Sequence, residues 1–522
     1  MRVKKFLSKI FSGRTLVLLL LFVEVLGFIL LFTFVGEYFA EIRAATSILS
    51  IILVPFIFNS KSNSAYKIAW LCLIAVLPSF GSICYILFAN KKYTKRDKKK
   101  LRPTYVALKV ANSNKESGNV LDKINQIEDS DAYYFGKYLN DYANNGIFTN
   151  TKVTYFPNGE DAFPVMLEEL KKAKHYIFLE YFIIAEGIMW NSMLDIIKQK
   201  IKEGVEVKML YDDVGCLTTL PSNYFKKMRK LGIKCYATNR IRAIFDIRNN
   251  NRDHRKILII DGHTGFTGGI NLADEYINEK ERFGYWKDNS IMLKGDGVFG
   301  LTSLFLSTFM RIDKHDPTID EFKKYYPSLY ASEKETFPFE RGYVAPYGSL
   351  PFTYENVAEN VYLSMINKAK RSIDITTPYL ILDELLENAL INAAKSGIIV
   401  RIITPHIPDK RMVFEITRSY YKNLIEAGVK IYEFTPGFIH AKTIVVDDDK
   451  AIVGTINFDY RSLFLHSENA VFMYKVDCIK DIKKDLENTI HQSKEITLEM
   501  ALSSPLYKRL LRFLLRLFAS AL

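Results

Sequence analysis

One pattern occurs twice in this chain at the same spacing, and it constrains the fold more than any other feature. His254-Arg-Lys256-Ile-Leu-Ile-Ile-Asp261 is followed by Gly268, Gly269 and Asn271; His440-Ala-Lys442-Thr-Ile-Val-Val-Asp447 is followed by Gly454 and Asn457. A repeat of this kind implies two copies of one structural unit and has to be settled before any fold assignment. Each copy carries an apolar, β-branched run closed by aspartate, which reads as a strand ending in a turn. Side chains alternate along a strand, so His254 and Lys256 share a face, as do His440 and Lys442. Asp261 and Asp447 stand at an odd offset from their lysines and point to the other face, for a role in structure rather than chemistry. Glycines after the strand leave room for a ligand beside the backbone. An imidazole, an ammonium and an amide gathered there suit a phosphate group.

The doubled HxKxxxxD motif resembles that of the phospholipase D superfamily. Thr377-Pro378-Tyr379, Arg418-Ser419-Tyr420-Tyr421, Gly437-Phe438-Ile439-His440-Ala441-Lys442 and Asn457-Phe458-Asp459-Tyr460-Arg461-Ser462 narrow the resemblance to bacterial cardiolipin synthases, from roughly residue 66 to the end. The resemblance implies two βαβ sandwich halves packed as a pseudo-dimer around one phosphodiester site. His254 then attacks phosphorus to form a phosphohistidine and His440 protonates the departing alkoxide, the roles reversing when the second alcohol arrives. Lys256, Lys442, Asn271 and Asn457 hold the non-bridging oxygens, and Asp261 and Asp447 complete the catalytic motif. A carboxylate usually fixes the tautomer of such a histidine. Trp286-Lys287-Asp288 resembles the family's W-R-D, which assigns Asp288 to His254; Glu468, at the corresponding place after the second motif, is assigned to His440. No metal and no cofactor are called for, since two lysines supply the positive charge. His263, His315, His406 and His466 are left as surface or supporting residues. The implied reaction joins two phosphatidylglycerols into cardiolipin and releases glycerol; the alternative is a hydrolase or headgroup-exchanging transferase using another acceptor. Asn289-Ser290 and His466-Ser467 depart from the family pattern beside the site, which bears on acceptor choice.

A net charge of +13, from 71 basic and 58 acidic residues, calls for an anionic partner. Its densest cluster, Lys91 to Arg102, adjoins an apolar run, and aromatic stacking strips are not evident, so anionic membrane lipid is the expected partner and nucleic acid is not. Five cysteines without a C-x-x-C pair argue against a disulfide framework or a zinc motif.

Read in order, residues 1–102 form a membrane anchor with two or three apolar segments. Thr15 to Gly36 is long enough to span a bilayer and exceeds a signal peptide's apolar core of about 7 to 15 residues. Ala44 to Phe58 is short, and Ile68 to Ala89 is a full span. The basic cluster after it puts the catalytic part in the cytoplasm. A basic N-terminus also inside requires an even number of crossings, so either Ala44 to Phe58 is re-entrant or interfacial, or the N-terminus lies outside. Residues 103–150 are a connector, and 151–335 and 336–500 the two halves. In each half helical and extended stretches alternate: Glu160 to Ala173, Ile177 to Ile184, Met193 to Glu203 and Val205 to Tyr211, then Asn360 to Lys370, Ile373 to Leu382, Leu385 to Lys395 and Ile398 to Thr404. This α/β alternation predicts a mostly parallel sheet in each half. Residues 501–522 are a basic amphipathic tail helix with Lys508, Arg512 and Arg516 on one stripe. Its leucines either pack on the catalytic body or lie in the membrane interface.

Overall fold

The computed structural model describes residues 39–60, 62–89, 104, 106, 108, 115–126, 130–240, 250–313, 319–325, 341–351, 355–517 and 519. The apolar run from Thr15 to Gly36 and the basic cluster from Lys91 to Arg102 lie outside them. The described residues divide into an N-terminal body and a larger body that holds both repeats.

In the N-terminal body Phe39–Phe58 is one helix of 20 residues. The run from Ile68 to Ala89, expected as a single span, is instead shared between helices Ser64–Val76 and Pro78–Phe88, of 13 and 11 residues. Pro78 causes the break, because it has no N–H to donate and its ring clashes with the preceding turn. Such helices reach roughly 20 and 16 Å, against about 30 Å for a hydrocarbon core. Gly81 lets the second fold back on the first, for a Cβ there would stand 2.8 Å from Ile74 Cα. Hydroxyl pairs Ser50–Ser82 at 2.7 Å and Thr46–Ser79 at 2.6 Å tie the second of them to the long helix. Among the described residues no helix is long and apolar enough to cross a membrane.

In the larger body the duplication appears as two sheets of one plan. The first half supplies β1 (Thr151–Phe156), β2 (Tyr176–Tyr181), β3 (Glu206–Asp212), β4 (Lys234–Thr238), β5 (Lys256–Ile260), β6 (Thr264–Gly268), β7 (Tyr285–Lys287) and β8 (Ser290–Gly295). The second supplies β9 (Tyr343–Ser349), β10 (Ser372–Thr376), β11 (Ile399–Pro405), β12 (Lys430–Phe434), β13 (Gly437–Ile439), β14 (Thr443–Val446), β15 (Lys450–Gly454), β16 (Glu468–Tyr474) and β17 (Ser493–Ile496). Their orders are β1-β8-β6-β5-β2-β3-β4 and β17-β12-β11-β10-β14-β15-β16-β9, the same succession with β17 added at one edge.

The sheets are mixed, not mostly parallel as the alternation suggested. Within these two sheets the parallel neighbours are β2-β3-β4 and β10-β11-β12, the hydrogen-bonded neighbours that helical crossovers such as Ile188–Lys202 and Glu384–Lys395 connect. The motif strands β5 and β14 turn straight back into β6 and β15, and a short turn can only join antiparallel neighbours. One continuous apolar core runs through both halves. It takes Ile257, Ile259 and Leu293 from the first sheet, Phe305 and Phe309 from helix Val298–Asp313, and Val445, Val453 and Val471 from the second. Strands β7 and β13 add a parallel two-stranded ribbon that joins one half to the other.

The tail helix Leu506–Leu517 rests on helix Arg411–Glu426 with its basic stripe inward. Arg512 donates to Glu415 at 2.8 Å, Arg516 donates to Glu387 at 2.5 Å, and the Arg516 guanidinium lies over the Tyr420 ring. Much of the apolar face is turned away from the catalytic body: Leu506, Leu510 and Phe513 are 79, 58 and 74% exposed. Carboxylates on the body decide which face of the helix turns in.

Candidate active site

Each motif strand is anchored at its far end by the motif aspartate. Asp261 and Gly262 in one turn, Asp447 and Asp448 in the other, have left-handed backbones, with φ of 51°, 65°, 56° and 64°. Aspartate tolerates this better than most residues. The Asp261 carboxylate accepts the N–H groups of Lys174, His175 and Tyr176, each at 2.8 Å, and so fixes the start of β2. Asp447 accepts those of Lys370, Arg371 and Ser372 at 2.8, 2.7 and 3.1 Å at the start of β10. Both aspartates thus hold strand ends, as the odd spacing indicated, and their carboxylates are committed to the backbone.

The histidines sit where one half meets the other. His254 N–H donates to Ser467 O at 2.9 Å and His440 N–H donates to Lys287 O at 2.7 Å. The next residues along those partner segments are the carboxylates. His254 Nδ1 lies 3.0 Å from both oxygens of Glu468, and His440 Nδ1 lies 2.6 Å from Asp288 Oδ2. The pairing is therefore crossed, and the assignment of Asp288 to His254 and Glu468 to His440 is corrected. Its cause is the pairing between halves: β7 beside β13 puts Lys287 opposite Ile439, and the bridge Asp253–Ser467 does the same on the other side. The following residues repeat the exchange. Asn289 donates to Thr443 at 2.7 Å, and Asn469 donates to Thr267 at 2.8 Å. Gly269 is required for close approach, since a Cβ there would stand 1.8 Å from Asp288 Oδ1. At the corresponding place Thr455 donates its hydroxyl to Glu468 at 2.5 Å.

The lysines complete two matching sets. Lys256 Nζ donates to His254 O at 2.7 Å, and Lys442 Nζ donates likewise to His440 O. The sets converge, because the charge of Lys442 acts on Lys256 and that of Lys256 acts on His440. Aromatic rings wall the site. Phe182 meets the His254 ring edge-on at 4.9 Å, and Trp286, Tyr276 and Phe438 lie 5.4, 5.6 and 5.8 Å from the ring of His440. No motif marks Phe182 or Tyr276; Phe182 follows Tyr181, which pairs with Lys256, and that register is visible only in the folded sheet.

Burial governs the charge states. It pushes His254 down to about 3 and His440 to about 4, overcoming the carboxylates that favour protonation, so both imidazoles are neutral before an anionic phosphodiester binds. Burial and the neighbouring cation bring Lys256 to about 7, and burial brings Lys442 to about 8 despite Asp288 and Glu468. Burial alone would raise both carboxylates, but His254 and His440 respectively hold Glu468 and Asp288 below the usual range. A lowered ammonium pKa means that positive charge is present below it and lost as pH rises through it. Loss of the lysine charge should therefore add a further fall in kcat/KM for a phosphodiester as pH rises through about 7 to 8, as one coupled transition of the pair, beyond the decline that His440 as proton donor imposes from lower pH. A profile without that added fall up to pH ~10, where an unperturbed lysine still holds most of its charge, would contradict the lowered values.

Of the two expected phosphate-holding amides, Asn271 accepts Ile183 N–H at 3.0 Å and donates to the Tyr276 hydroxyl at 2.7 Å. Asn457 donates to Asp459 at 3.2 Å. Each amide nitrogen carries two hydrogens, so these bonds orient the group and leave a donor for a ligand. His466, set aside in the sequence as an ordinary residue, is buried beside the site, its ring 5.6 Å from that of His254.

The profile described as "Cardiolipin synthase, PLD-like domain" matches residues 166–292 and again 362–490, the two halves in turn. A second, "Phospholipase_D-nuclease N-terminal", matches residues 48–90. Among similar proteins, an uncharacterized protein of Streptococcus mutans is 42% identical, over 90% of this chain and 99% of its own. A cardiolipin synthase of Halalkalibacterium halodurans is 34% identical over 92% and 94%, and cardiolipin synthase 1 of Staphylococcus aureus 33% identical over 91% and 96%. The crystal structure of the phosphatidylserine synthase of Haemophilus influenzae superposes with a TM-score of 0.56 at 17% identity, covering 75% of this chain and 98% of that one, which is a likeness of fold. On the repeat, the paired sheets and these matches, the chain belongs to the family of cardiolipin synthases with PLD-like domains.

Proposed function

We propose that the chain transfers a phosphatidyl group from one phosphatidylglycerol to another, giving cardiolipin and glycerol through a phosphohistidine. The observation that carries this reading is the pair of imidazoles, each with Nδ1 held by a buried carboxylate and each beside its own lysine. With Nδ1 tied up, Nε2 is the atom left for phosphorus or for a proton. His440 takes up a proton at Nε2 as the anionic phosphodiester binds beside it; His254 Nε2 then attacks, the phosphorus–oxygen bond to glycerol breaks, and the His440 imidazolium gives that oxygen its proton. The terminal hydroxyl of a second phosphatidylglycerol then loses its proton to His440, attacks the phosphorus and releases His254. Lys256 and Lys442, with Asn271 and Asn457, stabilise the charge that gathers on the non-bridging oxygens. Membership of the family supports phosphatidylglycerol as both donor and acceptor.

Purified protein in detergent with phosphatidylglycerol alone should yield cardiolipin and glycerol in equal amounts, and chelator should not slow it. A requirement for a cytidine nucleotide donor would overturn the reading. Phosphatidic acid as the main product would put water in place of the second lipid and make the chain a hydrolase.

The cluster from Lys91 to Arg102 supports a catalytic body on the cytoplasmic side of the membrane, held by the N-terminal segments. A reporter fused after Leu522 should be active only in its cytoplasmic form; activity confined to the outside would reverse this placement.

A further inference from the structure

We propose that His254, His466 and Glu468 form a binding site for a borderline divalent cation, best fitted by zinc, and that its occupation shuts off phosphatidyl transfer. Three observations carry this. A donor atom from each of the three residues lies within 4.8 Å of the others. Tetrahedral zinc with ligands at about 2.0–2.2 Å places them roughly 3.3 Å apart. Here His254 Nδ1 is 3.0 Å, and His466 Nδ1 3.5 Å, from Glu468 oxygens, so two of the three edges already lie near that spacing and the two imidazoles, with donors within 4.8 Å, have to draw together. Finally, His466 is only 9% exposed and, among the described residues, neither ring nitrogen has a hydrogen-bond partner. A buried imidazole whose nearest polar neighbour is the Glu468 carboxylate 3.5 Å away is poorly satisfied, and a metal ion would take a lone pair from one of its nitrogens.

Two imidazoles and a carboxylate are a ligand set that zinc uses widely, with a fourth position for water or a substrate oxygen. Zinc would take the place of the proton on His254 Nδ1, which leaves to solvent, and Glu468 would pass from orienting the imidazole to ligating the metal. The cation then withdraws electron density from the ring that must attack phosphorus. Lys256, beside this group, opposes a second cation; the Glu468 charge and the departing proton offset that repulsion.

The inhibitory part rests on the transferase reading, whereas the site itself does not, so binding and rate are measured separately. Full-length protein in detergent is stripped with chelator and titrated with zinc against a chromophoric zinc chelator. One equivalent should bind tightly to the wild type, and His466→Asn should weaken it by at least about 100-fold, as expected for a lost ligand rather than an outer-shell group. His466→Cys, which keeps a zinc-binding atom, should restore binding and so guards against a folding defect in the asparagine variant. Cardiolipin formation by the wild type should fall in step with occupancy and return with chelator. Each variant is compared with its own zinc-free rate, and His466→Asn should keep that rate at zinc levels that silence the wild type. Equal binding by wild type and His466→Asn, or no stoichiometric binding, overturns the site. Binding without loss of rate overturns the inhibition. Binding by a zinc-free protein that never forms cardiolipin would leave the site standing and refute the transferase reading.

Discussion

In the His440→Ala protein, turnover of phosphatidylglycerol is expected to fall by about 100- to 10,000-fold, the usual worth of a general acid, while attack on phosphorus survives. A donor with a nitrophenol leaving group separates the two steps, because that group departs without a proton. Its release should persist in His440→Ala as a burst and be lost in His254→Ala. The phosphatidyl adduct on His254 should also accumulate in His440→Ala, since the base that activates the incoming hydroxyl is missing, and mass spectrometry of its peptides would locate it. An adduct found only on His440 in the His254→Ala protein would reverse the roles. No adduct in either would argue against the covalent route.

The crossed carboxylates give the second large effect. Glu468→Gln and Asp288→Asn keep the side-chain shape but remove the charge that selects the tautomer, and losses of about 10³- to 10⁴-fold are expected from each. What distinguishes them is the partner. Glu468→Gln should behave like a His254 defect and fail with both donors, whereas the loss in Asp288→Asn should largely vanish with the nitrophenol donor. Adding Glu468→Gln to His254→Ala should cost little more, since the two act as a unit. Exchange of these phenotypes would mean that each carboxylate serves the histidine of its own half.

What could be read from the sequence was what local periodicity encodes. His254 and Lys256 share a face because strand side chains alternate, and Asp261 points away for the same reason; helix Glu384–Lys395 and strand β11 lie close to where apolar spacing placed them. The crossed pairing was not legible. His254 and Glu468 are 214 residues apart, and what joins them is a bridge between halves that no spacing records. Sheet direction was misjudged because the alternation of helix and strand was extended to the motif hairpins, whose turns dictate the opposite sense. The tail's two faces were visible, but which one turns inward depends on Glu415 and Glu387, far away in the chain. Pro78 was in plain view, and hydropathy counts alone passed over the break it makes in the backbone.

The crossing also sets the order in which the two histidine–carboxylate pairs can form. Asp288 precedes His440 along the chain, so one pair can form as soon as that histidine emerges from the ribosome. His254 is made early but waits for Glu468, more than two hundred residues later. In a nascent or truncated chain that still lacks Glu468, the tautomer of His254 is left unfixed. On the proposed roles, the group that attacks phosphorus is set only after Glu468 has been made and the two halves have docked.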